Sequence, residues 1–314
     1  MKKLSIVSPV YNEQGNIELF YNTLKSIVEK IDCDYEIIFV DDGSTDNSFA
    51  LCFAISQKDT HVKVLRFSRN FGHQAAITAG LDFSTGDALV ILDSDMQDPP
   101  RVIIELYKKW QEGYEVVNAR RRSRKDSFLK TLTATLFYKF LNKLLTNKIP
   151  ENVGDYRLLD RKAVEVMKRL KEKDRYMRGL SVWIGFKQTF VEFDRDKRHD
   201  GSTHYTFSKM ANLAFDAIFS FSKLPMRLAL FATMTFLLIS FTVIIYTLVS
   251  WFGGHVIAGW TSLVLITSLL LSIQMFVLAV ISEYVGRIYM QTQDRPLYIV
   301  AEKLPKSLEQ NSQL

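Results

Sequence analysis

The stretch Ala88–Pro100, ALVILDSDMQDPP, decides how this chain is read. Ala88 to Leu92 is a short apolar run of strand-favouring residues and predicts a buried strand. The run stops at Asp93; Asp95, Gln97 and Asp98 follow. Pro99 and Pro100 then end any regular pairing. Carboxylates gathered at the carboxyl end of a buried strand repel one another unless a cation lies among them. The cluster offers only oxygen ligands, which suits Mg²⁺ or Mn²⁺. Mg²⁺ takes one or two protein carboxylates and completes its shell with phosphate and water, so a metal-held diphosphate is the expected ligand. A solvated Asp-rich turn is the plainer alternative, because Asp is a turn residue. The strand in front, and a second acidic strand end upstream, weigh against it.

Outward from this stretch, strands alternate with helices. Leu4–Val10 predicts a first strand, and Asn16 can cap a helix to about Lys30 with Ile17, Phe20, Leu24, Ile27 and Val28 on one face. Tyr35–Val40 predicts a second strand that runs into Asp41–Asp46, DDGSTD, where Ser44 or Asp46 can cap the next helix. Val62–Phe67 is a third strand; RNFGHQ (69–74) leads into a helix to about Leu81. Val102–Gln111 reads as a helix, Val116–Ala119 as a strand, Arg161–Leu170 as a helix and Gln188–Phe193 as a late strand. This alternation predicts an α/β fold, a mainly parallel sheet with helices on both faces. Such sheets bind ligands outside the carboxyl ends of their strands, which is where Glu13, Asp41, Asp42, Asp93 and Asp95 fall.

The remainder points to a membrane. The chain has 314 residues, 47% of them hydrophobic, and a net charge of +6. From Leu228 to Ser282 the only Asp, Glu, Lys, Arg or His is His255. Leu228 to about Phe252 and Trp260 to about Ser282 are each long enough to span a bilayer, with Trp251 and Trp260 at the interface. Basic residues flank this hairpin at Lys223, Arg227, Arg287 and Arg295, and the Gly253–Gly259 link has no Lys or Arg, which predicts cytoplasmic termini. Glu283 is expected to pair locally with Arg287. Phe207–Lys223 is amphipathic and predicts an interfacial helix; Phe128–Leu145 either packs on the domain or lies at the membrane surface. The basic surplus, in Arg120–Lys125 and Arg195–His199, fits anionic headgroups better than nucleic acid. Cys33 and Cys52 lack metal-ligand spacing and read as inert cytosolic thiols. The expected divisions are a catalytic domain at 1–205, a juxtamembrane helix at 206–226, two membrane helices within 227–289 and a cytoplasmic tail at 290–314, with no strand assigned to the tail.

There is no Walker motif and no GxGxxG, so a P-loop NTPase or a dinucleotide enzyme is not indicated. What remains is a nucleotide whose metal-bound diphosphate is the leaving group. Here the residues carry a resemblance. Val7–Glu13 (VSPVYNE), Asp41–Asp46, Phe67–His73 (FSRNFGH) and Asp93–Pro99 (DSDMQDP) together resemble family 2 glycosyltransferases of the GT-A fold. Val153–Leu159 (VGDYRLL) and the hairpin ending Glu283–Tyr289 (EYVGRIY) narrow this to the polyprenyl-phosphate glycosyltransferases, the bactoprenol glucosyltransferase and dolichyl-phosphate mannose synthase group.

The resemblance implies site roles. Pro9, Tyr11, Glu13, Asp41 and Asp42 would line the nucleotide-sugar side, with Asp93 and Ser94 beside it. Asp93, Asp95 and Gln97 would hold Mg²⁺ or Mn²⁺. Arg120, Arg122, Arg198 and Ser202 would meet the acceptor phosphate; His204 stands where the family often has Lys. Asp155, with Asp95 and Arg198 in the catalytic set, occupies the place of an acceptor-activating Asp. A phosphate monoester has a second pKa of about 6 and is already ionised at neutral pH, so Asp155 is expected to orient more than to deprotonate; capping the helix at Arg161 is its structural alternative.

The implied reaction is an inverting transfer of glucose, with N-acetylglucosamine the rival, from a UDP-sugar to undecaprenyl phosphate. It would take place at the cytoplasmic face of a bacterial inner membrane, in a multi-pass homo-oligomer, possibly a tetramer, with no nucleic acid involved. A processive polysaccharide synthase would carry Gln-x-x-Arg-Trp and more spans, and a non-catalytic scaffold would not need the intact acidic set.

Overall fold

The computed structural model describes residues 1–122, 153–170, 172–173, 175–194, 228–235, 238–239, 241–242, 245 and 259–305. Arg198 and Ser202, the 128–145 and 207–223 segments and the 253–258 part of the link lie outside them. Residues up to 194 together with 295–305 form one compact unit, and the described residues from 228 to 294 form a second.

The first unit is one sheet with helices packed on it. β1 (Lys3–Val10), β2 (Asp34–Asp41), β3 (Val62–Phe67) and β4 (Ala88–Ile91) run parallel, with α1 (Ile17–Val28), α2 (Ser48–Lys58) and α3 (His73–Phe83) as their crossovers. After α4 (Val102–Gln111) come β5 (Val116–Arg121), β6 (Val153–Asp160), α5 (Arg161–Arg169), α6 (Met177–Trp183) and β7 (Gln188–Phe193). The helix α7 (Trp260–Thr292) belongs to the second unit, and β8 (Val300–Leu304) returns to the sheet. The strand order is β7-β5-β6-β4-β1-β2-β3-β8. The apolar runs of β1, β2 and β4 are buried from end to end, as strands covered on both faces must be. Ile17, Phe20, Leu24 and Val28 turn one face of α1 into this core. On the other face α3 lies close on β1: a Cβ at Gly80 would come within 2.0 Å of Val7 Cγ1.

The parallel α/β reading holds, with four differences. Gly154–Asp160, assigned to no strand from the sequence, forms most of β6, which runs antiparallel to both β4 and β5. β8, also unforeseen, brings the 290–314 tail back as an antiparallel edge strand on β3. Asn16 sits at the start of α1 without capping it: its Nδ2 donates to Glu13 Oε2 at 2.6 Å, while its Oδ1, the atom a cap would use, accepts no hydrogen bond. α2 starts at Ser48 rather than at Ser44 or Asp46, although Asp46 Oδ1 does accept from Ser48 N at 2.9 Å.

In the second unit, residues 228–235 are helical, and so are 238–239, 241–242 and 245; the rest of the first expected span lies outside the described residues. Within α7, residues 269–292 are long and apolar enough to cross a membrane. Glu283 and Arg287 pair at 2.8 Å, one helical turn apart.

At the sheet end away from Asp93, Glu36 on β2 is 2% exposed. Its carboxylate accepts from Ser5 Oγ at 2.5 Å and Thr85 N at 2.7 Å, and Lys63 Nζ lies 2.6 Å away. Burial pushes the Glu36 pKa up, but Lys63, Ser5 and Thr85 outweigh it and bring it down to about 2. A depressed folded pKa gives stability that is full above the unfolded value and is lost as pH falls through the folded one. We expect wild type to lose about 3 kcal/mol through Glu36 between about pH 4.5 and 2, and Glu36→Gln to lack that slope. Denaturant titrations at stepped pH read the difference.

Candidate active site

Sheet order builds the site. The chain runs from β1 outward through β2 and β3, then returns to place β4 on the other side of β1. A reversal of this kind opens a crevice at the carboxyl ends of the two central strands. Val10 pairs with Asp41, and Val7 with Ile91, so Asp41 and the 93–98 loop flank the end of β1. β6 is antiparallel to β4 with Ile91 opposite Arg157. The same register carried two residues further sets Asp155 beside Asp93.

Asp155 is buried and gripped by cationic side chains. Arg178, on α6, grips it with Nε 3.1 Å from Oδ1 and Nη2 3.2 Å from Oδ2. His73, the first residue of α3, has Nε2 3.5 Å from Asp155 Oδ2 and 3.7 Å from Asp93 Oδ1. Gln74 Nε2 adds a long contact at 3.5 Å. Arg157 is fully buried beneath, donating to the carbonyls of Gly154, Asp155 and Met177 and to Ser181 Oγ. Burial alone would raise the Asp155 pKa, but Arg178 and His73 hold it well below the carboxylate range. His73 is raised to about 9: burial lowers it, and Asp93 and Asp155 more than compensate. Asp155 does not cap the helix at Arg161. Asp160 does, accepting from Lys162 N at 2.8 Å.

Asp93 has the opposite character. Its Oδ1 is buried and accepts no hydrogen bond. Burial raises its pKa to about 6; His73 opposes the rise, while Asp98, Asp155 and Asp95 add to it. An orphaned oxygen among like charges fits a divalent cation, which would relieve both the missing contact and the repulsion. Among the described residues no three Asp, Glu, His or Cys side chains are already grouped to hold a metal ion, so a cation here would draw ligands from its substrate as well. Asp95 Oδ1 accepts from Gln97 N at 3.1 Å, and Met96 between them has φ 59°, a left-handed backbone at the loop tip. Such strain clusters at functional sites.

The other expected residues divide by what their polar groups already do. Asp98 is tied to Arg121, whose Nη2 lies 3.2 and 3.0 Å from its two oxygens. Ser94 Oγ donates to Pro9 O at 3.1 Å, joining the ends of β4 and β1. Asp42 is clamped on the loop before α3, accepting from Phe71 N at 2.7 Å and Gly72 N at 3.0 Å. Gly72, at φ 102°, makes the turn that delivers His73. Asp41 is fully buried beside the Ser44 hydroxyl and amide, with Ser44 N at 3.4 Å and Arg66 Nε at 3.8 Å, and burial raises its pKa despite them. Tyr11 is half exposed, and Glu13 accepts from Asn16. Arg120 stacks its guanidinium 3.9 Å over the Phe190 ring and keeps a buried, unpartnered Nε. Arg122 is exposed, 3.8 Å from Glu192 and 3.7 Å from Asp194.

His73 and Arg178 are the functional residues that the sequence did not single out. His73 ends a motif at the carboxyl end of β3, and the strand-end rule that picked out Asp41 and Asp93 could have found it. Arg178 has no such signal, because α6 comes after the strand it serves.

With this geometry in view, comparison with known proteins gives one answer. The family model described as glycosyl transferase family 2 matches residues 5–167. A Bacillus subtilis (strain 168) protein named as an uncharacterized glycosyltransferase, YkcC, is 47% identical over 94% of this chain and 92% of its own length. The bactoprenol glucosyl transferase of Shigella phage SfX is 40% identical, covering 96% of this chain and 99% of its own. A prophage bactoprenol glucosyl transferase homolog of Escherichia coli (strain K12) is 40% identical, covering 95% and 98%. By its match to the family model and to these near full-length relatives, this chain belongs to glycosyl transferase family 2.

Proposed function

We propose that this chain transfers glucose from UDP-glucose to a polyprenyl phosphate at the cytoplasmic face of a membrane, with inversion at the sugar. The observation that carries the reading is Asp93 Oδ1, buried without a partner among Asp95, Asp98 and Asp155 where the sheet reverses. A metal-diphosphate is the ligand that such an arrangement lacks. Support for the acceptor and the sugar comes from the names of the phage and bacterial relatives. α7, long and apolar enough to cross a membrane, is consistent with an acceptor whose tail stays in the bilayer. A two-helix hairpin and a homo-oligomer are part of the same proposal.

Asp93 and Asp95, with Gln97, would hold the divalent cation, Mg²⁺ or Mn²⁺. Its chemistry there is to neutralise charge developing on the departing diphosphate. The protein's own residues do the rest. Asp41, buried at the end of β2, would accept an N–H from the nucleobase, beside Pro9, Tyr11 and Glu13. Arg120 and Arg122, with Arg198 and Ser202, would receive the acceptor phosphate. An oxygen of that phosphate forms the new bond to the anomeric carbon, and the UDP oxygen leaves from the opposite face with the bonding pair. The phosphate already carries its charge near neutral pH and requires no proton removal. Asp155 therefore serves as a fixed anion. Locked by Arg178, it orients His73 and the floor of the crevice, and holding both reactants in one geometry supplies much of the rate.

Transfer of label from UDP-glucose into extractable lipid tests the reaction. Asp95→Ala is expected to lower it by about a hundredfold or more; undiminished transfer would remove the metal site from the account. Asp155→Asn is expected to lower kcat at every pH between about 6 and 9 and no less at the alkaline end, because Asp155 stays ionised throughout while His73, raised by it, loses its charge at lower pH in the variant. A deficit at the acid end that closes at the alkaline end would instead make Asp155 the base.

A further inference from the structure

We propose that β8, the strand following the apolar helix, is a positioning element of the donor and carboxylate site, acting through the loop between β3 and α3. The inference rests on the donor reading above. β8 pairs antiparallel with β3 in a register that shifts between Arg66 and Phe67, where β3 ends. Ser68 N then donates to Ile299 O at 3.0 Å, so the first step of the loop is still bonded to the C-terminal segment. Tyr298 touches the start of the loop and the far end of the helix that follows it. Its ring stacks on Phe67 at 5.1 Å, and its hydroxyl donates to Asp82 Oδ2, on α3, at 2.7 Å.

From Phe67 the contacts run inward. Phe67 meets Phe71 edge-on at 5.7 Å. The Phe71 and Gly72 amides are held by Asp42, and the next residue is His73, between Asp93 and Asp155. Remove the Tyr298 ring and Phe67 loses the partner on one of its faces, at the point where the loop departs. A second link runs from β8 to Asp41: Arg66 pairs with Glu302 at 3.1 Å and lies 3.8 Å from Asp41. That pair is half exposed and contributes little by itself, so the aromatic stack is the stronger connection.

The test uses the full chain in detergent. Tyr298→Ala removes the stack and the hydroxyl; Tyr298→Phe removes only the hydroxyl. Amide hydrogen exchange is followed over residues 68–76 and, as an internal reference, over α4, while calorimetry measures UDP binding in the presence of Mg²⁺. In Tyr298→Ala, exchange over 68–76 should quicken and UDP binding weaken, each by about tenfold, with α4 unchanged. Tyr298→Phe should stay within about twofold of wild type on both measures. Unchanged exchange over 68–76, or equal quickening of α4, overturns the inference. Should wild type take up no UDP, the donor reading fails, and the exchange comparison by itself decides whether β8 positions the loop.

Discussion

A buried carboxylate that is never allowed to go neutral is what the rest of the site is built around. Burying a charge is costly unless it is paired and hydrogen-bonded. Asp155 meets that demand with the planar fork of Arg178, with His73, and with Arg157 packed beneath. Each partner comes from a different element: α6, the start of α3, and β6 itself. Asp155 thereby pins three elements to one point, and Gln74 ties two of them again by accepting from Met177 N.

Strand direction explains why this Asp rather than another is at that point. Had β6 run parallel to β4, its far end would have met the crevice and Asp160 would have faced Asp93. Because it runs antiparallel, it enters at the crevice and leaves at the opposite end of the sheet. Asp155, near its beginning, joins the acidic cluster. Asp160, at its end, caps α5 and accepts from Trp110 Nε1 at 2.7 Å. Two aspartates five residues apart thus take up unrelated tasks through the direction of one strand.

The same two strands show where sequence reading works and where it stops. β1, β2 and β4 are legible because both faces are covered and their runs are mostly apolar, with Ser5, Ser8 and Glu36 as buried exceptions. β6 hides Gly, Asp and Arg among its first five residues, and these residues look like a loop. Only the tertiary structure shows that Arg157 is buried and satisfied by carbonyls. β8 hides for another reason. It is an edge strand with exposed Glu302 and a Lys, charges of the kind that discourage further pairing at an edge and that read as a polar tail. In the site, Asp41, Asp93 and Asp95 followed from a local rule about strand ends. Arg178 did not, because its partner lies 23 residues upstream on another element. Asn16 stands at the cap position of α1, yet its Oδ1 accepts no hydrogen bond from the helix.

The acidic residues at these strand ends are not equivalent, and the differences indicate where a ligand has room to bind. Asp42 and Asp98 spend their oxygens on protein partners, the Phe71 and Gly72 amides and the Arg121 guanidinium. Asp155 is saturated by cations. Asp41 has the Ser44 hydroxyl and amide but otherwise only the distant Arg66, and Asp93 keeps a buried oxygen without a hydrogen bond. These two underpaired carboxylates sit on β2 and just past β4, on either side of β1. Two strand spacings separate them, about 10 Å. A ligand that satisfied both would need a hydrogen-bond donor at one end and a cation-bearing anion at the other, joined by a spacer of that length. A nucleoside diphosphate bound with its base toward Asp41 and its metal-held phosphates toward Asp93 has that form. The free acceptor capacity, more than the count of acidic residues, is therefore what the proposed orientation of the donor in the crevice rests on.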